Sequence, residues 1–249
     1  MKKTLCLLVL LLASVPAAFG THPVTPESLG PVKYEIRYKL GAINSKAAEG
    51  TISLEKSTWN GREALHSHAA IKAKSLFKLF MKADYVVDLY LSPKDLQPLY
   101  YINPFVREGQ DGKVEFTYDR NKKEVQSVAV RPPAEAVSQT FPLNGNTMDL
   151  LALLQHVRFL EIPEGSPVSF NLLKSGTVIP ATLTLRGIDE KRFPGKQAER
   201  LQLKFIGGGL MENGSGSLIT VWRSAGSDRR ILGLETTLSS GTMIVKIIE

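Results

Sequence analysis

Cysteine is nearly absent from this chain: the one cysteine among 249 residues is Cys6. It sits in an opening stretch, MKKTLCLLVLLLASVPAAFG, that reads as a secretory signal. Lys2 and Lys3 form a positive start and Leu5 to Ala13 an apolar core. Ala18-Phe19-Gly20 supplies small residues before a cleavage point at Thr21. Loss of residues 1–20 would leave no thiol, which excludes disulfides, thiolate metal sites and a cysteine nucleophile. A lipoprotein signal would carry cysteine where Thr21 stands, so anchoring by that route is not expected. No later apolar run reaches the ~20 residues of a membrane helix. Acidic residues are missing from positions 1–20, so the formal net charge of +7 drops by two when the two lysines leave. A mildly basic chain suits anionic lipid or polysaccharide; nucleic acid is not an expected partner. The sequence has no G-x-S-x-G motif. The glycines at 207–209 and 214–216 lack the Lys-Ser/Thr and the following helix of a phosphate loop. No repeat of fixed period is present. The expected organisation is a signal at 1–20, an extended lead-in at 21–31 and one β-rich domain at 32–249, in a periplasmic or otherwise exported protein.

What is present is alternation. Val32, Tyr34, Ile36, Tyr38 and Leu40 face one way; Lys33, Glu35, Arg37 and Lys39 face the other. That is a half-buried strand with one wet face. The same pattern predicts strands at 51–55, 64–73, 85–91, 99–107, 114–118, 125–130, 168–173, 178–186, 198–205, 217–223, 231–238 and 242–248. Pro104 predicts a weak point or bulge, and Asp111-Gly112 a hairpin turn. Many short strands at regular spacing predict an all-β, mainly antiparallel fold: a curled sheet, barrel-like or sandwich. One segment differs. Asn146 or Thr147 caps a helix over about 147–160, with Asp149 in its first turn and Leu150, Leu151, Leu153, Leu154, Val157 and Leu160 on its apolar face. The helix is expected to pack on the open side of the sheet. Ser75 to Met81 is ambiguous between a helical turn and an apolar crossing loop.

Together these segments resemble the bacterial family called domain of unknown function 3108. The resemblance is carried by Y-x-I-x-Y-x-L-G from Tyr34 to Gly41, by HAAIKAKSLFKLF and ADYVVDLYLSPKDLQPLYY, and by DLLALLQHVR from Asp149 to Arg158. A closing W-x-S, D-R-R-I-L-x-L and G-T pattern runs from Trp222 to Thr242. The family helix often has Ser where this chain has Ala152. The proline usual just after the Arg of the closing motif is missing here. The resemblance implies exported envelope proteins and supplies no catalytic residue.

Several groups are candidates for chemistry. His66 and His68 project from one face of a strand and form the only close histidine pair. Any metal would use them, with His156, Asp84 or Asp88 as further ligands; the plainer reading is a solvent-facing pair. Asp149 and Arg158 bracket the helix about 13–14 Å apart. They serve either two binding tasks or the helix dipole. Tyr85, Tyr90, Tyr100, Tyr101, Phe105, Phe116 and Tyr118 crowd one third of the chain. They line a ligand groove or simply pack across strands. Trp222 joins the candidate ligand residues. The carboxylates Asp189 and Glu190 fall in a turn. No nucleophile and base stand out, and no cofactor is expected. The leading reading is a non-catalytic binding or carrier module for an apolar or amphipathic ligand. The alternatives are a structural or interaction protein of the envelope and a glycan- or lipid-acting hydrolase.

Overall fold

In the computed structural model, residues 21–25, 29–74, 85–107, 109–174, 177–208 and 217–248 are described. The readings made for residues 1–20, for Ser75–Met81, for Asp84 and for 209–216 lie outside them. The elements are β1 (Val32–Leu40), β2 (Ile43–Trp59), β3 (Arg62–Ala73), β4 (Tyr85–Leu91), β5 (Pro98–Arg107), β6 (Gln110–Asp119), β7 (Glu124–Val130) and β8 (Val137–Pro142). Then come β9 (Thr147–Met148), α1 (Leu150–Phe159), β10 (Pro167–Lys174), β11 (Thr177–Asp189), β12 (Ala198–Phe205), β13 (Leu218–Ser224), β14 (Ile231–Leu238) and β15 (Gly241–Ile248).

All these strands lie in one sheet, ordered β8-β7-β6-β5-β4-β3-β2-β1-β15-β14-β13-β12-β11-β10-β9. Every pairing is antiparallel except β9 with β10. The chain starts at the centre, meanders out to β8, crosses to the opposite edge at β9, and meanders back until β15 pairs with β1. Only Leu143–Asn146 separate the two edge strands. The five Cα steps from Pro142 to Thr147 span at most ~17–18 Å. The sheet must therefore curl to bring its edges together, although β8 and β9 do not pair and the curl stays open. Helix α1 follows β9 directly and is sent inward at this seam.

The inner face is continuous. Leu54, Leu65, Val87, Leu89, Leu91, Leu172, Leu183, Leu201 and Leu203 come from strands on both halves and join Leu153, Val157 and Phe159 of α1 in one core. A smaller cluster of Phe193, Ala198, Trp222 and Leu232 forms separately.

The structure corrects several local expectations. The helix begins at Leu150, because Thr147 and Met148 pair with β10 first; Asp149 is its N-cap, in place of Asn146 or Thr147. Strand β2 extends far beyond 51–55, and β8 and β9 lie where no strand was read. These pieces are polar or very short, so periodicity carried no signal there. Asp111-Gly112 is not a turn. Arg107 pairs with Gln110, and Gly112 lies in β6 opposite Phe105. A side-chain carbon on Gly112 would come within 2.3 Å of the Phe105 ring, so the glycine makes room for an aromatic. Pro104 sits in register opposite Lys113 without a bulge. The β4 ladder ends at Ile102, so Pro104 withholds no needed N–H.

Helix α1 is buried almost all round, polar residues included. Leu153 is fully buried, whereas Leu154 is only half-buried. Leu153→Ala is expected to lower stability by about 2–5 kcal/mol. Leu154→Ala should cost clearly less, because it removes atoms that already face open space. Urea midpoints for the two variants check this; equal costs would contradict the placement of the helix.

Candidate functional site

The site is organised by how the two ends of α1 are held. At the N-terminus the Asp149 carboxylate accepts from the Ala152 N–H at 2.9 Å and from the Tyr118 hydroxyl at 3.1 Å. This satisfies one of the helix's orphan donors. Burial pushes the Asp149 carboxyl up to about 6, against the pull of those hydrogen bonds. The Tyr85 and Tyr101 hydroxyls stand 3.3 Å apart nearby, and Tyr101 stacks on Phe116. Burial raises the phenols of Tyr85, Tyr101 and Tyr118 above their usual range.

At the C-terminus the closing sequence motif takes physical form. Arg223 donates to the Val157 and Leu160 carbonyls and to Glu199. Arg229 donates to the Arg158 carbonyl at 3.2 Å, to Leu160 and to the same Glu199 oxygen. Two guanidinium groups thus satisfy the last carbonyls of the helix and oppose its negative end. Arg158 returns a bond to the Arg229 carbonyl and donates to Gln155 at 2.8 Å. Gln155 donates to Ser67, which donates to the Ser53 carbonyl of β2. This chain of bonds pins the helix to the sheet with its charged residue already oriented.

Between α1 and the concave face of the sheet lies an apolar groove in two contiguous parts. One, of about 220 Å³, runs between the helix and the middle strands β1–β3 and β12–β15. Its polar members include Gln155, Arg158 and Arg230. The other, of about 400 Å³, runs toward β4–β6 and β10 and includes Tyr85, Tyr101, Arg131, Asp149 and Lys174. Ile52, Ala69, Ile71, Leu150, Leu151 and Leu154 line both. The half-buried Leu150–Leu154 face of the helix is therefore one wall of the groove. Volumes of this order suit small ligands.

The candidate residues divide between the two faces of the sheet. Tyr85, Tyr101 and Asp149 line the larger part of the groove, and Arg158 the smaller. Tyr90 and Tyr100 point outward, because neighbouring strand residues alternate. There Trp59 stacks on Tyr100 at 4.4 Å and lies tilted against Tyr90, whose ring also stacks on His66. Trp222 faces away from the groove too. It donates to Asp189 at 3.0 Å and meets Phe193 edge-on, so it holds the β11–β12 loop. The histidine pair also lies on the outer face. His66 Nε2 and His68 Nδ1 both contact Asp88 Oδ1 at 2.8 Å. Asp88 is one of the further ligands expected from the sequence, and the pairing of β3 with β4 sets it opposite His68. Among the described residues, no group of three or more His, Cys, Asp or Glu side chains is arranged to hold a metal ion. Tyr34, Gln155 and Arg230 line the groove without having been singled out. Arg230 stood in the D-R-R motif; Gln155 was the polar interruption of a leucine-rich helix.

An open, curled β-sheet with a helix inside it and an apolar groove along that helix defines a barrel-like class of fold. The crystal structure of a beta-barrel-like protein of domain of unknown function DUF1849 from Brucella abortus shares it. The TM-score is 0.55 at 8% identity, over 88% of this chain and 95% of that one. The chain itself belongs to the family DUF3108, described as protein of unknown function, whose model matches residues 33–246. No curated protein matches it.

Proposed function

We propose that this chain is an exported protein of the cell envelope that binds or carries an amphipathic molecule without transforming it. The observation that carries the reading is the groove along α1, apolar over most of its wall and polar toward both helix ends. A long apolar slot with few polar groups favours a ligand with one hydrocarbon part and one polar part. Asp149, Gln155 and Arg158, buried polar groups of the groove, are engaged in holding the helix, which fits binding better than catalysis. The signal-like first twenty residues support an address outside the cytoplasm.

Native mass spectrometry of the protein isolated from its own envelope tests the proposal. The expected result is a chain beginning near Thr21 with an acyl-containing molecule bound. In parallel, Leu154→Trp should fill the groove. Affinity for the hydrophobic probe N-phenyl-1-naphthylamine should then fall at least tenfold, with little change in melting temperature. A protein that carries nothing and takes up no probe would overturn the binding role. An intact Met1 on a cytoplasmic protein would overturn the address.

A further inference from the structure

We infer that the seam of the sheet holds a second site, separate from the groove, and that this site takes an uncharged sugar ring. Three segments meet there: the turn between β4 and β5, the crossing from β8 to β9, and the first half of β10. With the C-terminal half of α1 they enclose a cavity of about 640 Å³, within the range of small-molecule sites. His156 lines this cavity, whereas Leu154 lines the groove. Two residues are about 200° apart round a helix, so the two sites lie on opposite sides of α1. The floor of the cavity is apolar and buried, made by Leu160, Val168 and Phe170. One polar side chain interrupts it. His156 is only 5% exposed, its ring meets Phe170 edge-on at 5.9 Å, and its Nδ1 has no hydrogen-bond partner among the described residues. Buried polar atoms are nearly always paired, so an unpaired one in the wall of a cavity points to a ligand.

The rim consists of amides already oriented by bonds of their own. Arg120 donates to Gln97 Oε1 at 2.7 Å, Asn146 Nδ2 donates to the Ser169 carbonyl at 3.4 Å, and Asn171 Nδ2 donates to the Asn144 carbonyl at 3.0 Å. These bonds leave the Gln97 amide nitrogen to donate and the Asn146 and Asn171 side-chain oxygens to accept. Burial keeps the His156 imidazole neutral, pushed down to about 4, so it too has one donor and one acceptor nitrogen. Hydroxyls donate and accept at once, and a wall of mixed donors and acceptors suits them. Lys94 and Asp95 stand side by side on the rim with opposite charges. An anion would meet Lys94 as the one Lys or Arg among the described residues of the wall, against the Asp95 carboxylate and the amide oxygens. A sugar ring has apolar C–H faces for the floor and a hydroxyl edge for the rim.

Titration of the full chain, followed by NMR of its side-chain amides, tests the assignment. The probes are D-glucose, N-acetyl-D-glucosamine, glucuronate and cyclohexanol. At least one of the two neutral sugars should shift the Gln97, Asn146 and Asn171 amide signals. It should bind at least tenfold more tightly than cyclohexanol, which has the ring without the hydroxyl edge, and glucuronate should bind no better than it does. Gln97→Met and His156→Leu should each weaken its binding at least threefold, with the backbone spectrum of the folded protein retained in at least the exposed-rim variant Gln97→Met. The shifts should persist in Leu154→Trp, in which the groove is filled. Silence of the three amides toward both neutral sugars would overturn the site. So would equal binding of cyclohexanol, tighter binding of glucuronate, or wild-type sugar affinity in a folded Gln97→Met. Loss of the shifts in Leu154→Trp would move the sugar into the groove and overturn the seam assignment while leaving the groove reading in place.

Discussion

Replacing Arg223 with methionine is expected to destabilise the protein by about 3–5 kcal/mol, the range for removing one partner of a buried charged pair. Arg223 is among the most deeply buried large side chains, with 1% of its surface exposed. Its guanidinium serves the Val157 and Leu160 carbonyls and the Glu199 carboxylate at once. Methionine fills similar space but leaves helix carbonyls without that donor and Glu199 with Arg229 alone. The loss is of hydrogen bonding and charge, with little change in packing. Arg223→Lys should fall between, because an ammonium cannot reproduce the planar fork. Glu199→Gln should recover part of the loss in the methionine background while costing stability in the wild type. Urea denaturation of the four proteins gives the coupling. A methionine variant within ~1 kcal/mol of wild type would show that the helix terminus does not depend on Arg223.

The second large effect concerns pH. Two buried groups at opposite ends of the ordinary acid range are displaced toward each other. Asp149 is pushed up from 3.8 to about 6, and His156 is pushed down from 6.5 to about 4, both chiefly by burial. Each pH unit of displacement is worth about 1.4 kcal/mol, so each group carries on the order of 3 kcal/mol. The signs are opposite. Folded Asp149 holds its proton more tightly than the unfolded chain does. Its contribution is full below pH 3.8 and is lost as pH rises through about 6. Folded His156 holds its proton less tightly. Its contribution is full above pH 6.5 and is lost as pH falls through about 4.

Between these limits the pH dependences of the two contributions nearly cancel in the wild type, because one rises as the other falls. Asp149→Asn keeps a capping oxygen for the Ala152 N–H and should expose the histidine. Relative to wild type, its stability should fall by about 3 kcal/mol as pH drops from 6.5 to 4. His156→Leu should show the reverse, gaining a similar amount over that fall. Groups common to all three proteins, such as Glu35 and Asp189 with their lowered values, drop out of the comparison. Urea midpoints at several pH values decide it; parallel profiles for wild type and Asp149→Asn would refute the buried acid.

Much of the fold was legible because burial on one face writes itself as alternation. Tyr85, Val87, Leu89 and Leu91 announced the inner face of β4, and Asp88 and Tyr90 its outer face. By that same parity Tyr90 and Tyr100 lie on the outer face while Tyr85 and Tyr101 line the groove, so the tyrosines of β4 and β5 do not form one cluster. The edge strand β8 escaped notice because it is exposed on both faces and has no pattern to show. Asp149 and Arg158 were legible as the two ends of a helix. Their roles were not, since both are defined by partners from distant strands.

The sequence by itself determined the class of fold, helix α1 and the family, through local periodicity and through motifs whose order survives in one dimension. Only the tertiary structure decided which strands adjoin and what the motifs do. Tyr34 reaches a carbonyl 197 residues away at Ile231, and Arg158 meets Arg229 across 71 residues. The groove between helix and sheet exists only because the chain crosses from β8 to β9 and sends α1 into the curl. Contacts made by packing across such distances leave no periodic trace, because each partner reads alone as an ordinary tyrosine or arginine in its own strand.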